Sequence, residues 1–180
     1  MDYLFGYGSL LSPVSIARTV QRPVTMTDLL PARVRGFKRS WTAAADVIVT
    51  EQGVSRDYTA LFLDLYTDHS MICNGVLLRV TDGDLARLDL RERTYQRISV
   101  QAEWNGGMVS AFTYMVPNEE KKRDGVVLAG YLEIVHQALL NYSKEFNREF
   151  WSSTEEPAME LVSGDYIFQD VEQNRALGRK

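Results

Sequence analysis

Tyr3-Leu-Phe-Gly-Tyr-Gly-Ser-Leu-Leu11 is the stretch on which the reading of this chain turns. Tyr3, Leu4 and Phe5 are bulky β-formers and read as a short buried strand. Gly6 and Gly8 break that strand; glycine permits positive φ and lets a ligand approach the backbone. Ser12-Pro13 supplies an N-cap and a proline at the first helical position, so a short helix is expected over Pro13–Val20. A strand, a glycine turn and a helix start aim several backbone N–H groups at one point, which suits a carboxylate, a phosphate or an oxyanion. The turn lacks the third glycine of a dinucleotide fingerprint and the Lys-Ser/Thr of a P-loop. It is not a nucleophile elbow either, because Leu11 stands where the second glycine would be. From these residues alone, a structural turn and an anion-binding turn both remain open.

Further along, Ala32-Arg-Val-Arg-Gly-Phe-Lys-Arg-Ser-Trp41 reads as a strand with Gly36 at a bulge or bend. Its Arg33, Arg35, Lys38 and Arg39 read either as a solvated face or as a source of one or two basic groups beside an anionic substrate. Residues 42–59 are less regular: Asp46-Val-Ile-Val-Thr50 suggests a short strand, and the polar stretch from Glu51 to Asp57 a mobile loop over a pocket. Ala60-Leu-Phe-Leu-Asp-Leu65 is a compact apolar strand, residues 66–70 a turn, and Ile72 to Val80 another strand, in which Gly75 marks a bulge or a close approach. Thr81 caps a helix with Asp84 three residues on, and Leu85 and Leu88 carry its spacing to about Arg91. A strand from Tyr95 to Glu103, the Asn105-Gly106 turn and a return strand from Met108 to Val116 form a hairpin. Residues 117–124 read as a solvated charged loop. The longest helix is expected over residues 126–146, with Leu128, Tyr131, Ile134, Val135, Ala138, Leu139 and Tyr142 as its apolar stripe. Met159 to Phe168 suggests a last element, and residues 174–180 a frayed end. The pattern is α+β, with a mainly antiparallel sheet curled into a small barrel and helices at its flanks. A single domain over residues 1–180 is expected, with a C-terminal extension from about residue 152.

With 180 residues, 45% of them hydrophobic, the chain has enough material for a real core. A net charge of −4 argues against a nucleic-acid partner. No apolar run approaches the roughly 18 residues that span a bilayer. Asp2 stands where a secretion signal carries a basic residue, and the single cysteine, Cys73, fits a reducing compartment. A soluble cytoplasmic protein is expected, without membrane partner and as a monomer or homodimer. Two histidines and one cysteine offer no metal cluster: His69 and Cys73 are four apart and have no second pair. That leaves carboxylates. Glu92 falls where a helix gives way to a strand, a place from which a side chain can enter a sheet's interior. Arg91 and Arg93 beside it also permit an exposed ion pair, and Asp89, three residues earlier, would share its helical face as a possible carboxyl dyad.

Four segments, taken in order, resemble the γ-glutamyl cyclotransferase-like superfamily, which includes ChaC-type enzymes, γ-glutamylamine cyclotransferases and AIG2-like proteins. Phe5-Gly-Tyr-Gly-Ser-Leu-Leu11 is similar to its Tyr-Gly-Ser-Asn/Leu-Leu signature, with Leu10 in the variable place. Ala32 to Trp41 and Gly75-Val-Leu-Leu-Arg-Val80 are similar to two of its strands. Leu88-Asp-Leu-Arg-Glu-Arg-Thr-Tyr95 is similar to the segment whose glutamate is the acid/base, although Arg93-Thr94 replaces the usual Gly or Lys-Gly. Residues 42–59 match no branch of the family. The resemblance implies a γ-glutamyl cyclotransferase-like barrel and release of 5-oxoproline from a small γ-glutamyl amine or peptide, without metal, nucleotide or other cofactor. It implies Glu92 as the catalytic residue and the turn Tyr7, Gly8, Ser9, Leu10 as a substrate-binding element, with Tyr95 and Tyr131 lining the pocket. An inactive ligand-binding member of the same fold is the alternative.

Overall fold

One very long hairpin frames the molecule. In the computed structural model, which describes residues 2–178, β2 (Leu30–Glu51) runs antiparallel to β3 (Val54–Val80). They are joined by a tight turn in which Gln52 and Gly53 take φ of 50° and 81°, the twist that suits a two-residue hairpin. The alternating and doubly apolar stretches along both strands bury Val34, Trp41, Val47, Leu61, Leu63, Leu65 and Leu77. β1 (Asp2–Gly6) pairs antiparallel with the end of β3 and parallel with β5 (Gly107–Met115). β5 forms a hairpin with β4 (Gln96–Trp104), and β4 returns to β2. The five strands thus close a barrel, which removes the free edges a small open sheet would leave. The far half of β2 carries β8 (Asp165–Phe168) on its outer edge, with Val47 opposite Phe168 and Thr50 opposite Asp165.

Helices flank the barrel. α1 (Pro13–Val20) is capped by Ser12, whose hydroxyl accepts from the Ser15 amide at 3.2 Å. α2 (Asp82–Arg91) starts with a full capping box between Thr81 and Asp84. α3 (Ala129–Leu139), α4 (Lys144–Ser152) and α5 (Val171–Ala176) follow. Two-residue strands β6 (Val127–Leu128) and β7 (Leu161–Val162) pair with each other. No helix among the described residues is long and apolar enough to cross a membrane.

Several expectations need correction. The polar stretch from Glu51 to Asp57 is no loop over a pocket but the tip of the hairpin, a Gln52-Gly53 turn with laddered strand on both sides; the strand expected at Asp46–Thr50 is present within β2, where Val47 and Val49 bury one face. Residues 66–70 are strand rather than turn. The long helix over 126–146 is a short strand followed by α3 and α4, separated at residues 140–143. Ser143 accounts for the break: its hydroxyl accepts from the Phe146 amide at 3.1 Å and starts a new helix there. The charged segment after Pro117 is not wholly solvated, since Lys121 reaches inward to the fully buried Asp64 and donates to the Leu65 carbonyl at 2.8 Å. Residues 171–176 are helical, and the last two residues of the expected frayed end lie outside the described part.

Candidate active site

Gly6 ends β1, and residues Ser9–Leu11 form one 3₁₀ turn in which the Leu11 amide donates to the Gly8 carbonyl at 2.9 Å. Neither Gly6 nor Gly8 takes a positive φ; Gly8 sits at −133°. What the glycines supply is room. A Cβ on Gly6 would lie 2.8 Å from Leu10 Cβ, and one on Gly8 would lie 3.0 Å from the Tyr131 hydroxyl. Gly75 on the neighbouring strand serves the same end, since its Cβ would fall 2.4 Å from the Gly6 carbonyl oxygen.

The turn is held from behind by Arg39. Arg33 pairs with Glu149 and Arg35 with Glu103 at the surface, but Arg39 is fully buried. The bulge at Gly36 (φ 84°) explains the difference. Ala32 and Val34 are buried before it, and Arg39 and Trp41 after it: the face of β2 turned inward changes across the irregularity, where residues 68–71 of β3 stand opposite Gly36 alone. Arg39 donates from Nε to the Tyr7 carbonyl at 2.7 Å, from Nη1 to Ser153 Oγ at 2.8 Å, and from Nη2 to the Asn74 carbonyl. Its guanidinium lies 3.9 Å from the Phe150 ring centre.

Glu92 closes α2: its amide donates to the Leu88 carbonyl at 2.8 Å, and its own carbonyl accepts from the Tyr95 amide at 2.8 Å. The side chain turns inward and keeps only 13% of its surface, which excludes the exposed pair with Arg91 and Arg93 that its neighbours allowed. Arg91 is buried as well, at 3%, with Nε 2.8 Å from Glu92 Oε1. It also donates to Ser9 Oγ at 2.8 Å, to Ser15 Oγ and the Ser15 carbonyl at 3.0 Å, and to Thr19 Oγ1 at 3.0 Å. A single guanidinium therefore ties the carboxylate to the glycine turn and to α1. Leu85, Leu88 and Arg91 occupy the buried stripe of α2 at three-residue spacing, a signal that places Arg91 inside. Arg93 pairs with Asp170 instead. Asp89 forms no dyad with Glu92; it is exposed, pairs with Arg97 and accepts from the Tyr114 hydroxyl at 2.7 Å.

Tyr7, Gly8, Ser9, Leu10, Glu92, Tyr95 and Tyr131 line one small inner chamber of about 30 Å³. Tyr7 donates to the Tyr114 carbonyl at 2.7 Å and Tyr95 to the Leu63 carbonyl at 3.0 Å. Ser9, Glu92, Tyr95 and Tyr131 also border a wider cavity of about 390 Å³ that opens outward between α1, α3 and β8, a size within reach of small-ligand sites. Burial pushes the Glu92 carboxyl above its ordinary range, while the Arg91 guanidinium partly opposes that rise. Burial raises the phenols of Tyr7, Tyr95 and Tyr131 too, so they stay neutral. Such a site can pass one proton through Glu92, while the Tyr7 and Tyr95 hydroxyls, committed to the Tyr114 and Leu63 carbonyls, hold the walls in place. Among the described residues no three His, Cys, Asp or Glu side chains gather as metal ligands. Cys73 is buried, and burial pushes its thiol up.

The closed five-stranded barrel with flanking helices is a γ-glutamyl cyclotransferase-like fold. The chain belongs to the gamma-glutamyl cyclotransferase, AIG2-like family, whose profile matches residues 4–132. Among solved structures it resembles a gamma-glutamyl cyclotransferase with 15% identity, a TM-score of 0.63, and coverage of 89% of this chain and 93% of that one. It also resembles an uncharacterized protein from Homo sapiens with 16% identity, a TM-score of 0.64, and 97% of each chain covered. A protein from Arabidopsis thaliana shares 23% identity at a TM-score of 0.51, over 91% of this chain and 95% of the other. At these identities the likeness is one of fold. No curated protein matches the sequence.

Proposed function

We propose that the protein cyclises a γ-glutamyl amine or peptide to 5-oxoproline and releases the amine. The observation that carries this reading is the place of Glu92, buried where the chamber under the glycine turn meets the outer cavity. The substrate's α-ammonium gives a proton to the Glu92 carboxylate. The freed amine attacks the substrate's own γ-carbonyl carbon, and the amide oxygen takes up negative charge. As the tetrahedral centre collapses, Glu92 returns the proton to the departing nitrogen and the carbon–nitrogen bond to the amine breaks; the second proton of the attacking nitrogen follows through Glu92, so that a neutral lactam and an ammonium leave. No water or second substrate enters. The chain's contribution is to fold the glutamyl unit into attack geometry, worth several kcal/mol in intramolecular reactions, and to keep one base at a useful pKa.

The raised carboxyl suits both halves of this cycle. A fully acidic glutamate would return its proton poorly, and one left protonated at neutral pH would not take it. Arg91 sets the balance between burial and charge. The amides of Tyr7, Gly8, Ser9 and Leu10 hold the substrate's α-carboxylate or its oxyanion, with the Tyr7–Gly8 peptide steadied from behind by Arg39. Tyr95 and Tyr131, which border both the chamber and the outer cavity, shape the space around the glutamyl carbons. The medium required is an ordinary aqueous one, without cofactor. The test is product analysis: release of 5-oxoproline from γ-glutamyl compounds supports the reading. Glutamate as product would mean that Glu92 activates water instead, and thermal stabilisation without turnover would mean a ligand-binding member of the family.

A further inference from the structure

We propose that the amine released is hydrophobic, with an aryl or branched-alkyl body, and that the C-terminal segment selects it. This inference rests on the cyclotransferase reading above. The chamber of about 30 Å³ takes only the polar end of the glutamyl unit beside the glycine turn and Glu92, so the rest of the substrate, with the leaving amine outermost, extends along the outer cavity of about 390 Å³. One wall of that cavity is apolar. Ala43 and Ala45 on β2 leave space, Ile134 closes the side toward α3, and Phe62, Tyr166 and Phe168 form an aromatic face. Phe62 and Phe168 stack with ring centres 5.4 Å apart, and Tyr131 meets Phe62 edge-on at 4.9 Å. Of the strongly polar lining residues, Arg18, Glu133 and Gln137 are exposed, while Arg91, Glu92 and Gln173 are held inside and engaged with one another and with α1 and the end of α2. A polar or charged amine would therefore lose its water against Phe62 and Phe168 without gaining partners there, a cost that hydrophobic amines do not meet.

Tyr166 and Phe168 lie beyond residues 4–132, where the family match ends. They are nonetheless firmly placed. β8 is laddered to β2, the Phe168 amide donates to Asn174 Oδ1 at 2.9 Å, and Asn174 Nδ2 donates to the Phe168 carbonyl. Gln173 Nε2 donates to the Arg91 carbonyl at 3.1 Å, which joins this tail directly to the helix end bearing Glu92. A wall ordered before the ligand arrives spends no binding energy on its own ordering.

The experiment compares kcat/KM for γ-glutamylbenzylamide, γ-glutamylphenylalanine, γ-glutamylglycine and the γ-glutamyl derivative of the lysine ε-amine. The two aryl compounds should lead the glycine and lysine compounds by about 10-fold or more, the usual worth of a filled apolar pocket. The order of the two aryl compounds tells whether the rim also receives a carboxylate. Ala45→Leu, which fills the cavity, should bring the benzylamide-to-glycine ratio toward one. Equal kcat/KM across the panel, a preference for the lysine compound, or an Ala45→Leu ratio unchanged from wild type would overturn the proposal. Thermal-shift titration with the same four compounds separates the two levels. If none releases 5-oxoproline, the reaction reading fails; tighter binding of the aryl compounds would still support the apolar pocket, and equal binding would reject it.

Discussion

Replacing Arg91 by methionine should move the acid limb of the pH–rate profile upward. The limb reports Glu92, which must be a carboxylate to accept the ammonium proton, so activity falls as pH drops through its pKa. Burial raises that pKa, and Arg91, with Nε 2.8 Å from Oε1, holds the rise in check. For charge centres roughly 4 Å apart at an effective dielectric constant of about 20, the attraction is about 4 kcal/mol. At about 1.4 kcal/mol per pKa unit this is an upper bound near 3 units, and water entering the vacated space reduces it. The expected shift is about 1 to 3 units toward higher pH. The assay is 5-oxoproline release, read as kcat/KM across pH well below the variant's melting temperature, because the lost bonds to Ser9, Ser15 and Thr19 also weaken the fold. The position of the limb is the readout, not its height. Arg91→Lys keeps the charge but gives up the fork of hydrogen bonds, so its limb should lie between the other two. A methionine variant whose limb stays at the wild-type pH would refute the assignment of Glu92 as the titrating base or of Arg91 as its counter-ion.

Other substitutions probe the turn and its supports. Gly8→Val puts methyl groups where a Cβ already lies 3.0 Å from the Tyr131 hydroxyl; KM should rise by roughly 10-fold or more, and unaltered kinetics would make the turn merely structural. Arg39→Met leaves the Tyr7 carbonyl and Ser153 hydroxyl without their buried donor; urea unfolding should show a loss of at least about 3 kcal/mol. Lys121→Met strands the fully buried Asp64 carboxylate, at a cost of about 3–5 kcal/mol. Burial already raises the Asp64 carboxyl, and losing Lys121 raises it further. The unfolded chain ionises at the ordinary carboxylate pKa, so the penalty is full above the folded pKa and recedes as pH falls toward the unfolded one. Unfolding curves at neutral and mildly acidic pH should show the gap between variant and wild type narrowing in acid.

Much of this molecule is written locally. The β1 strand, the Ser12-Pro13 helix start, the Thr81 and Asp84 capping box and the Asn105-Gly106 hairpin all follow from short-range chemistry, and all appear where the residues place them. The seven residues singled out for the site also line one chamber, although they are drawn from the turn after β1, the segment between α2 and β4, and α3. What was not legible required carrying one local fact along the chain. Gly36 reads as a bulge, but the burial of Arg39 follows only when the parity of β2 is reversed past it. Arg91 reads as a surface partner until it is set on the stripe with Leu85 and Leu88. Ser143 interrupts an apolar repeat that otherwise continues through Phe146, and that repeat conceals the helix break. The C-terminal wall had no short-range signature, because Tyr166 and Phe168 acquire their role by pairing with a strand more than a hundred residues away.

The account depends on Glu92 acting as the proton carrier. Glu92→Gln keeps the shape of the side chain and its position at the end of α2 while removing the base. With a γ-glutamyl substrate that the wild-type protein converts to 5-oxoproline, the variant should turn over about 10²-fold more slowly or worse while still gaining thermal stability from the same compound. Turnover near the wild-type rate in that variant would contradict the account.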